Sequence, residues 1–220
     1  MSKLEMRCEI LENSPVAPGV FRMRLVAGEM GRVATPGQFV MVRCHEGMDP
    51  LLRRPFSIHD ADPETGVLSL LYKVVGRGTR LLAARNPGDF VDVLGPLGRG
   101  FSLSEGTKRV CFLAGGIGVA PMLFLVRSWV GTKLAPEDCV LLLGARTAHE
   151  LLCREEFARM GIAVWAATQD GTAGETGLVT AMACGMGVCL GCAVRKRPDG
   201  AGYVHACVDG PVVSGETLYG

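Results

Sequence analysis

Residues 109–121 read Arg-Val-Cys-Phe-Leu-Ala-Gly-Gly-Ile-Gly-Val-Ala-Pro, and this stretch decides the fold of the second half of the chain. Arg109 to Leu113 predicts a buried strand, the glycines predict a tight turn, and an apolar helix is expected from Met122 to Val130. A strand, a Gly-rich turn and a helix in this order are typical of a phosphate-binding loop. The run departs from the G-x-G-x-x-G fingerprint, because Ala-Pro stands where the third Gly would be.

Two further strands follow the predicted helix. Buried strands are predicted at Cys139–Leu143 and Ile162–Ala167, and helical spacing is present between them, from Ala148 to Met160. Strands that alternate with helices indicate a parallel sheet. Arg146 follows the second strand. One interpretation is that its guanidinium contacts the ribose or a phosphate of a nucleotide, and the alternative is a solvated charge in a loop.

The first half of the chain has a different pattern. Residues 3–100 contain short runs with strand character, among them Val20–Leu25, Phe39–Arg43 and Leu68–Val75, and Pro and Gly separate these runs. This pattern predicts a small antiparallel β-barrel or sandwich.

Two motifs stand out within the predicted barrel. In Arg53–Ile58, Pro55 stiffens the backbone between Arg54, whose planar fork suits a phosphate, and Ser57, whose hydroxyl suits a ring nitrogen. In Gly76-Arg77-Gly78-Thr79, the threonine is expected to cap a short helix whose N-terminus attracts phosphate. The alternatives are a basic strand edge and an ordinary turn before a helix.

The C-terminal region carries the densest motif, Cys184-Gly185-Met186-Gly187-Val188-Cys189-Leu190-Gly191-Cys192, followed by Cys207. Four cysteines spaced as Cys-x4-Cys-x2-Cys and a later Cys match the plant-type arrangement around one [2Fe–2S] cluster. The glycines allow the backbone to turn tightly and aim N–H groups at the cluster sulfurs. The motif therefore predicts a cluster held by Cys184, Cys189, Cys192 and Cys207.

Three alternatives to a cluster remain open at this point. A zinc site would use Cys189, Cys192, His205 and Cys207, although structural zinc sites usually pair two short ligand knuckles. These cysteines could also form disulfides or be inert buried thiols. The cysteines elsewhere in the chain show no ligand spacing and are predicted to fill the core: Cys8, Cys44, Cys111, Cys139 and Cys153.

The composition limits the class of partner. The 220 residues are 48% hydrophobic, and 23 Lys and Arg balance 22 Asp and Glu, so neither nucleic acid nor an anionic membrane surface is expected to bind. The charged N-terminus does not resemble a signal peptide. The longest apolar run, Val110–Val126, contains three glycines and a proline, which fits a strand, loop and helix better than a membrane span. A cytoplasmic protein is therefore expected.

The motifs together resemble a known family. Arg54-Pro55-Phe56-Ser57, Gly76–Thr79, Gly115–Pro121 and the C-terminal cysteines occur in this order. This resembles the electron-transfer subunits of the B-type (NAD-dependent) dihydroorotate dehydrogenases, within the ferredoxin–NADP reductase superfamily. The flavin and pyridine-nucleotide motifs occur throughout that superfamily, and the C-terminal position of the cluster motif narrows the family.

The resemblance implies the following cofactor contacts. FAD would be bound by Arg54, Pro55, Phe56, Ser57, Tyr72, Lys73, Val74, Gly78 and Thr79. NAD would face Gly115, Gly116, Gly118, Pro121 and Arg146. The cysteines would hold the cluster, and no side chain of this subunit would act as a catalytic acid, base or nucleophile.

The resemblance also implies a domain order and a relay. A β-barrel FAD domain (1–100), a shortened α/β parallel-sheet NAD domain (101–180) and a small [2Fe–2S] subdomain (181–220) are expected. An FMN-containing catalytic subunit would oxidise dihydroorotate for pyrimidine biosynthesis in a hetero-oligomer. Its electrons would pass through the cluster and FAD to NAD.

The chain departs from the family pattern in one place. Family members continue after a segment like Asp170–Thr180 with a helix and a strand that ends in Cys-Gly-Pro near the nicotinamide, and here Thr180 leads directly into Ala181. NAD binding is therefore expected to be weak or completed by the partner. The strand Ile162–Ala167 is expected to be a sheet edge that the cluster segment or the partner covers.

Two rival functions remain after the resemblance. One is the small subunit of a sulfide dehydrogenase or an NADH-dependent transhydrogenase, some of which use an Asp as one cluster ligand. The other is a non-enzymatic redox module with a degenerate NAD site.

Overall fold

Six antiparallel strands close into a barrel in the computed structural model of this chain. The structure describes residues 4–47, 49–177 and 179, and the backbone of 193–195, 203–205 and 212–213. Around the barrel the strands are hydrogen-bonded in the order β1-β2-β5-β4-β3-β6, and β6 closes onto β1. Their bounds are β1 (Leu4–Ala17), β2 (Val20–Val26), β3 (Phe39–Arg43), β4 (Arg54–Ala61), β5 (Val67–Lys73) and β6 (Phe90–Leu97).

Alternation of apolar and polar residues explains the barrel core. In β2, Val20, Met23 and Leu25 are buried while Arg24 and Val26 are exposed. Two short helices complete this unit, α1 (Gly28–Val33) and α2 (Arg77–Ala83). The unit comprises Met1–Phe101, and the predicted barrel is confirmed.

A hydrogen-bond network around Asn13 ties α2 to the barrel. The Asn13 side-chain amide donates to the carbonyl oxygens of Leu82 and Arg85 at 2.8 and 2.9 Å, and its carbonyl oxygen accepts from the hydroxyl of Tyr72 at 2.9 Å. These contacts satisfy carbonyls that the end of a helix leaves without intrahelical partners. The network therefore fixes where α2 lies.

Replacing Asn13 with Ala is expected to lower the free energy of unfolding by about 1–3 kcal/mol, because three buried or half-buried polar partners lose their hydrogen bonds. Denaturant unfolding of the intact chain measures the change. Leu11→Ala, at a 42% exposed position of the same strand, is the matched control and should change the value by less than about 0.5 kcal/mol. Equal stability of both variants would contradict a structural role for the network.

The second unit, Ser102–Gly220, is built on a mainly parallel sheet in the order β10-β9-β8-β7-β13. Its elements are β7 (Val110–Gly115), α3 (Met122–Trp129), β8 (Cys139–Ala145), α4 (Arg154–Arg159), β9 (Ala163–Thr168), β10 (Glu175–Thr176) and β13 (Val212–Val213). Short 3-10 helices span Gly116–Val119, Pro136–Asp138 and Ala148–Glu150. A separate antiparallel pair joins β11 (Ala193–Arg195) and β12 (Tyr203–His205).

One face of the parallel sheet is better covered than the other. Phe112 packs against Trp129 of α3, with ring centroids 6.4 Å apart, and Leu141 and Phe157 are fully buried on the same side. Leu142 and Trp165 pair across β8 and β9 on the opposite face, where Trp165 is 65% exposed. The predicted parallel sheet is confirmed, and α3 and α4 cover one side of it.

The predicted helix from Ala148 to Met160 is wrong as a continuous element. A 3-10 turn covers Ala148–Glu150, and α4 begins only at Arg154. Cys153 lies between them with φ of 59°, a left-handed conformation that interrupts a helix. Helical spacing of apolar residues is preserved across the break, which explains the wrong prediction.

Among the described residues, β9 is an open edge of the sheet along most of its length, as expected. Only the last two residues of β9, Ala167 and Thr168, pair with β10. The C-terminal segment pairs with β7 instead, where Val212 and Val213 lie antiparallel to Phe112 and Cys111. The described part of the C-terminal segment therefore adds a strand at the β7 side of the sheet, and none of its described residues pairs with β9. None of the helices in the described part of the chain is long and apolar enough to span a membrane.

Candidate functional site

The two motifs of the barrel meet at Gly78. A Cβ placed on Gly78 would lie 3.3 Å from the Cys44 sulfur and 3.6 Å from both Cγ and Nε of Arg54. Gly78 is buried in the first turn of α2, and Arg54 is the first residue of β4. The absence of a side chain at Gly78 therefore lets Arg54 lie against the start of α2.

The Arg54 guanidinium keeps hydrogen-bonding capacity for a ligand. Nη1 donates to the carbonyl oxygens of Leu52 at 2.9 Å and Arg53 at 3.4 Å. Among the residues that the structure describes, neither Nε nor Nη2 has a hydrogen-bond partner. Burial raises the pKa of the adjacent Cys44 thiol, and the Arg54 charge opposes that rise. A cation with two open donors beside a glycine fits a phosphate of FAD.

The other β4 residues are presented along one strand. Phe39 of β3 pairs with Ser57, and Met41 pairs with Pro55. Pro55 is exposed, and Phe56 and Ser57 are partly exposed. Phe56 and Ser57 are therefore partly accessible on this strand, and the contact of Ser57 with a flavin ring stays a prediction.

Tyr72 lies in the barrel core and not at its surface. It is 2% exposed, stacks on Phe21 at 5.9 Å and meets Phe56 edge-on at 5.6 Å between ring centroids. Burial raises the pKa of Tyr72, although the hydrogen bond with Asn13 opposes the rise. The tyrosine thus supports Phe56 from behind. Lys73 and Val74, partly exposed, follow it at the end of β5.

Thr79 stabilises the start of α2 in a different way from the one predicted. Gly76 is the N-cap, and Thr79 is the third residue of the helix. Its hydroxyl accepts hydrogen bonds from the N–H groups of Val75 at 2.9 Å and Gly76 at 3.1 Å. It also donates to the Gly76 carbonyl oxygen at 3.1 Å. Thr79 therefore sets the turn that places Gly78 beside Arg54.

The Gly-rich turn of the second unit follows β7 directly. Gly116 has φ of 50°, which only glycine adopts readily, and it begins a 3-10 turn that contains Gly118 and ends at Val119. Pro121 is the N-cap of α3, which begins at Met122 as predicted. The turn thus exposes backbone of Gly115 and Gly116 where the strand ends, as a nucleotide phosphate requires.

Arg146 lies next to this turn in the sheet. Gly115 pairs with Gly144 across parallel strands, so Arg146 stands at the same carboxyl edge. Its guanidinium makes a two-pronged ion pair with Glu150, in which Nε donates to Oε2 at 3.0 Å and Nη2 donates to Oε1. Glu150 was not predicted from the sequence, although its four-residue spacing from Arg146 is a signal for such a pair.

The four predicted cluster ligands lie outside the described residues: Cys184, Cys189, Cys192 and Cys207. Four of the other cysteines are buried as predicted, and burial raises the thiol pKa of Cys8 and Cys111 to about 11. The prediction was wrong for Cys153, which is partly exposed. Within the described part of the chain, no three His, Cys, Asp or Glu residues cluster as metal ligands.

Three family models match the chain in sequence order. Residues 9–101 match the oxidoreductase FAD-binding domain, and residues 112–185 match the oxidoreductase NAD-binding domain. Residues 180–219 match the iron–sulfur cluster binding domain of dihydroorotate dehydrogenase B. The last range includes all four predicted cluster cysteines.

Curated relatives match nearly the full length. The "dihydroorotate dehydrogenase B (NAD(+)), electron transfer subunit" of Desulforamulus reducens is 37% identical over 257 aligned residues, covering 96% of this chain and 97% of the relative. That of Bacillus cereus (strain B4264) is 32% identical, covering 92% and 94%. Since 96% of this chain is about 211 residues, at least about 46 of the 257 positions belong to the Desulforamulus protein alone. The shortened NAD-binding domain expected from the sequence would account for this difference in length.

Solved structures show the same fold. An NADH-dependent reduced ferredoxin-NADP oxidoreductase, linked to flavin-based electron bifurcation, is 25% identical with a TM-score of 0.68. The match covers 96% of this chain and 89% of that one. A ferredoxin NADP+ reductase from Neisseria gonorrhoeae, with bound FAD and NADP, is 20% identical with a TM-score of 0.64. The match covers 79% of this chain and 73% of the Neisseria protein, and at this identity it shows only that the fold is shared.

Proposed function

We propose, since this chain belongs to the family of the electron-transfer subunits of dihydroorotate dehydrogenase B (NAD(+)), that it connects an FMN-containing, dihydroorotate-oxidising subunit to NAD within a hetero-oligomer. The chain is an oxidoreductase subunit with FAD-, NAD- and iron–sulfur-binding domains. The observation that carries the proposal is the order of these domains, with the cluster domain last. The chain also aligns with the Desulforamulus reducens relative over nearly the whole length of both proteins.

The protein's own contribution is to hold and orient the cofactors. When bound, FAD and the cluster carry the electrons, and NAD takes up a hydride. Arg54 would bind the FAD diphosphate through its two open donors, with the space that Gly78 leaves beside it. Ser57 would donate a hydrogen bond to the flavin ring, and the buried Phe56–Tyr72 contact would keep that strand rigid. Gly115 and Gly116 would let the NAD pyrophosphate approach the backbone.

The cluster would be held by four thiolates. Cys184, Cys189, Cys192 and Cys207 fall within the matched iron–sulfur domain and carry the plant-type spacing. We place the domain boundaries at residues 1–100, 101–180 and 181–220. The 180–219 range of the iron–sulfur family model supports the last boundary.

A second function has one specific observation in its favour. The bifurcating NADH-dependent oxidoreductase structure resembles this chain over 96% of its length. A chain of this kind would serve a different catalytic partner. Co-purification of the tagged chain from native extract separates the two functions, because the bound subunit either oxidises dihydroorotate or does not.

The isolated chain is expected to reduce its flavin slowly with NADH. In the sequence, Thr180 leads directly into Ala181, so the helix and strand that would hold the nicotinamide flat on the flavin are expected to be absent. A displacement of about 1 Å can slow hydride transfer by about 10²-fold. Stopped-flow absorbance measures flavin reduction by NADH with and without the catalytic partner. A large acceleration by the partner would mean that the partner completes the nicotinamide site.

Dithionite reduction of the same preparations is the control, because it needs no nucleotide site and should be equally fast with and without the partner. Fast, saturable reduction of the isolated chain at low NADH concentration would contradict the expected weakness of the NAD site.

A further inference from the structure

The carboxylate of Glu150 forms a two-pronged ion pair with the guanidinium of Arg146 at the carboxyl edge of the sheet. Both carboxylate oxygens accept a hydrogen bond, one from Nε at 3.0 Å and one from Nη2. The Arg146 side chain is 63% exposed, while that of Glu150 is only 19% exposed. The Glu150 side chain is therefore the more buried of the two, and the exposed Arg146 side chain packs against it.

Local backbone contacts fix the position of Glu150. Its N–H donates to the Thr147 carbonyl oxygen at 3.1 Å in the 3-10 turn. The N–H of Ala148 in the same turn donates to the Thr172 hydroxyl at 2.8 Å, and that hydroxyl donates to the Asp170 carboxylate at 2.6 Å. The loops after β8 and β9 are thus tied together, and each contributes a carboxylate.

The charge at this edge is negative. Residues 144–150 and 169–177 contain one arginine, Arg146, against Glu150, Asp170 and Glu175. NADP differs from NAD by a phosphate on the adenosine ribose, and nucleotide sites that accept it commonly provide an arginine. Sites that select NAD instead place an acid where it accepts a hydrogen bond from the ribose 2′-hydroxyl.

We propose that Glu150 makes this site select nucleotides without a 2′-phosphate, by holding Arg146 in an ion pair and presenting a carboxylate to the ribose. A 2′-phosphate would have to break the pair and approach Glu150 and Asp170, whereas a 2′-hydroxyl donates to a carboxylate. The inference rests on the proposed NAD site beside the Gly115–Gly116 turn, whose strand is the neighbour of β8. Glu150 is then the residue that discriminates between NAD and NADP.

Binding of ADP-ribose and 2′-phospho-ADP-ribose tests the proposal without depending on the nicotinamide or on hydride transfer. Isothermal titration of the full chain with bound FAD gives the two Kd values. In the Glu150→Gln variant, Arg146 is released, and the Kd for 2′-phospho-ADP-ribose relative to ADP-ribose should fall by about tenfold or more, the effect of one charge-assisted hydrogen bond. The preference for NADH over NADPH in flavin reduction should fall in parallel.

Glu155→Gln is the matched control. Glu155 forms a similar pair with Arg159, four residues further on, with 3.3 Å between Oε2 and Nη2, and this pair lies on α4. The control changes the net charge by the same amount and should leave the ratio of the two Kd values unchanged. Adding Arg146→Gln to Glu150→Gln should remove the gain, because the freed guanidinium is its source.

Two results would overturn the proposal while leaving the NAD site intact: an unchanged ratio in Glu150→Gln with normal ADP-ribose binding, or a gain that persists without Arg146. If the wild-type chain bound neither ADP-ribose nor NADH, the assignment of the NAD site would fail, and this inference with it.

Discussion

Replacing Cys189 with Ser is expected to remove the iron–sulfur cluster and to stop electron transfer from dihydroorotate to NAD, while FAD stays bound. A thiolate is the ligand that holds such clusters, and a serine hydroxyl remains protonated at neutral pH. Iron and labile sulfide should fall from about two per chain to near zero. Turnover of the assembled complex should fall by more than about 10²-fold, since loss of even an outer contact to a metal ligand costs 10–100-fold.

Cys153→Ser is the matched control for this substitution. Cys153 is partly exposed and lies in the loop before α4, so its replacement should leave iron, sulfide and turnover unchanged. Electron paramagnetic resonance of the reduced protein, together with metal analysis, measures the result. Zinc in place of iron in the anaerobically prepared wild-type chain, or an unchanged cluster signal in Cys189→Ser, would refute the ligand assignment.

Replacing Arg54 with Ala is expected to weaken FAD binding by roughly 10–150-fold, the range for a lost hydrogen bond to a charged group. The guanidinium has two open donors among the described residues and lies beside Gly78. Fluorescence titration of the flavin-free chain with FAD gives the Kd. Gly78→Val should weaken FAD binding as well, because the new side chain would displace Arg54 and the Cys44 sulfur.

Arg80→Ala is the matched control for Arg54→Ala, since it removes the same charge from an exposed position on α2. Its Kd for FAD should stay within about twofold of the wild-type value. Equal affinities for Arg54→Ala and Arg80→Ala would show that the Arg54 contact is not part of the FAD site.

Sequence periodicity predicted several of the strands and the main helix of the two folded units. The strand Phe39–Arg43 has the predicted bounds, and α3 begins at Met122 as expected. The alternation of apolar and polar residues in β2 and the strand–turn–helix order around Gly115 both follow from which residues are buried. Burial of this kind can be predicted from the hydrophobic pattern of a sequence. The cluster motif is likewise local, because its cysteines are close together in the chain.

Contacts between residues that are far apart in the chain could not be predicted from the sequence. The approach of Gly78 to Arg54 depends on how the barrel brings β4 and α2 together, and a sequence contains no record of that distance. The sequence also contains no sign that Tyr72 stacks on Phe21 and is almost fully buried; its contact with the flavin stays a prediction. The break at Cys153 was missed because a single left-handed residue leaves the apolar spacing intact.

The pairing of β13 with β7 has a consequence for how the chain is made. Val212 lies beside Phe112, so the two strands are synthesised one hundred residues apart. At about 5–20 residues per second, β7 waits some 5–20 s on the ribosome before β13 exists. During that interval the N–H and C=O groups along this side of β7 are open to wrong partners. Loss of the C-terminal residues would therefore cause misfolding of the newly synthesised nucleotide-binding domain, in addition to any loss of electron transfer.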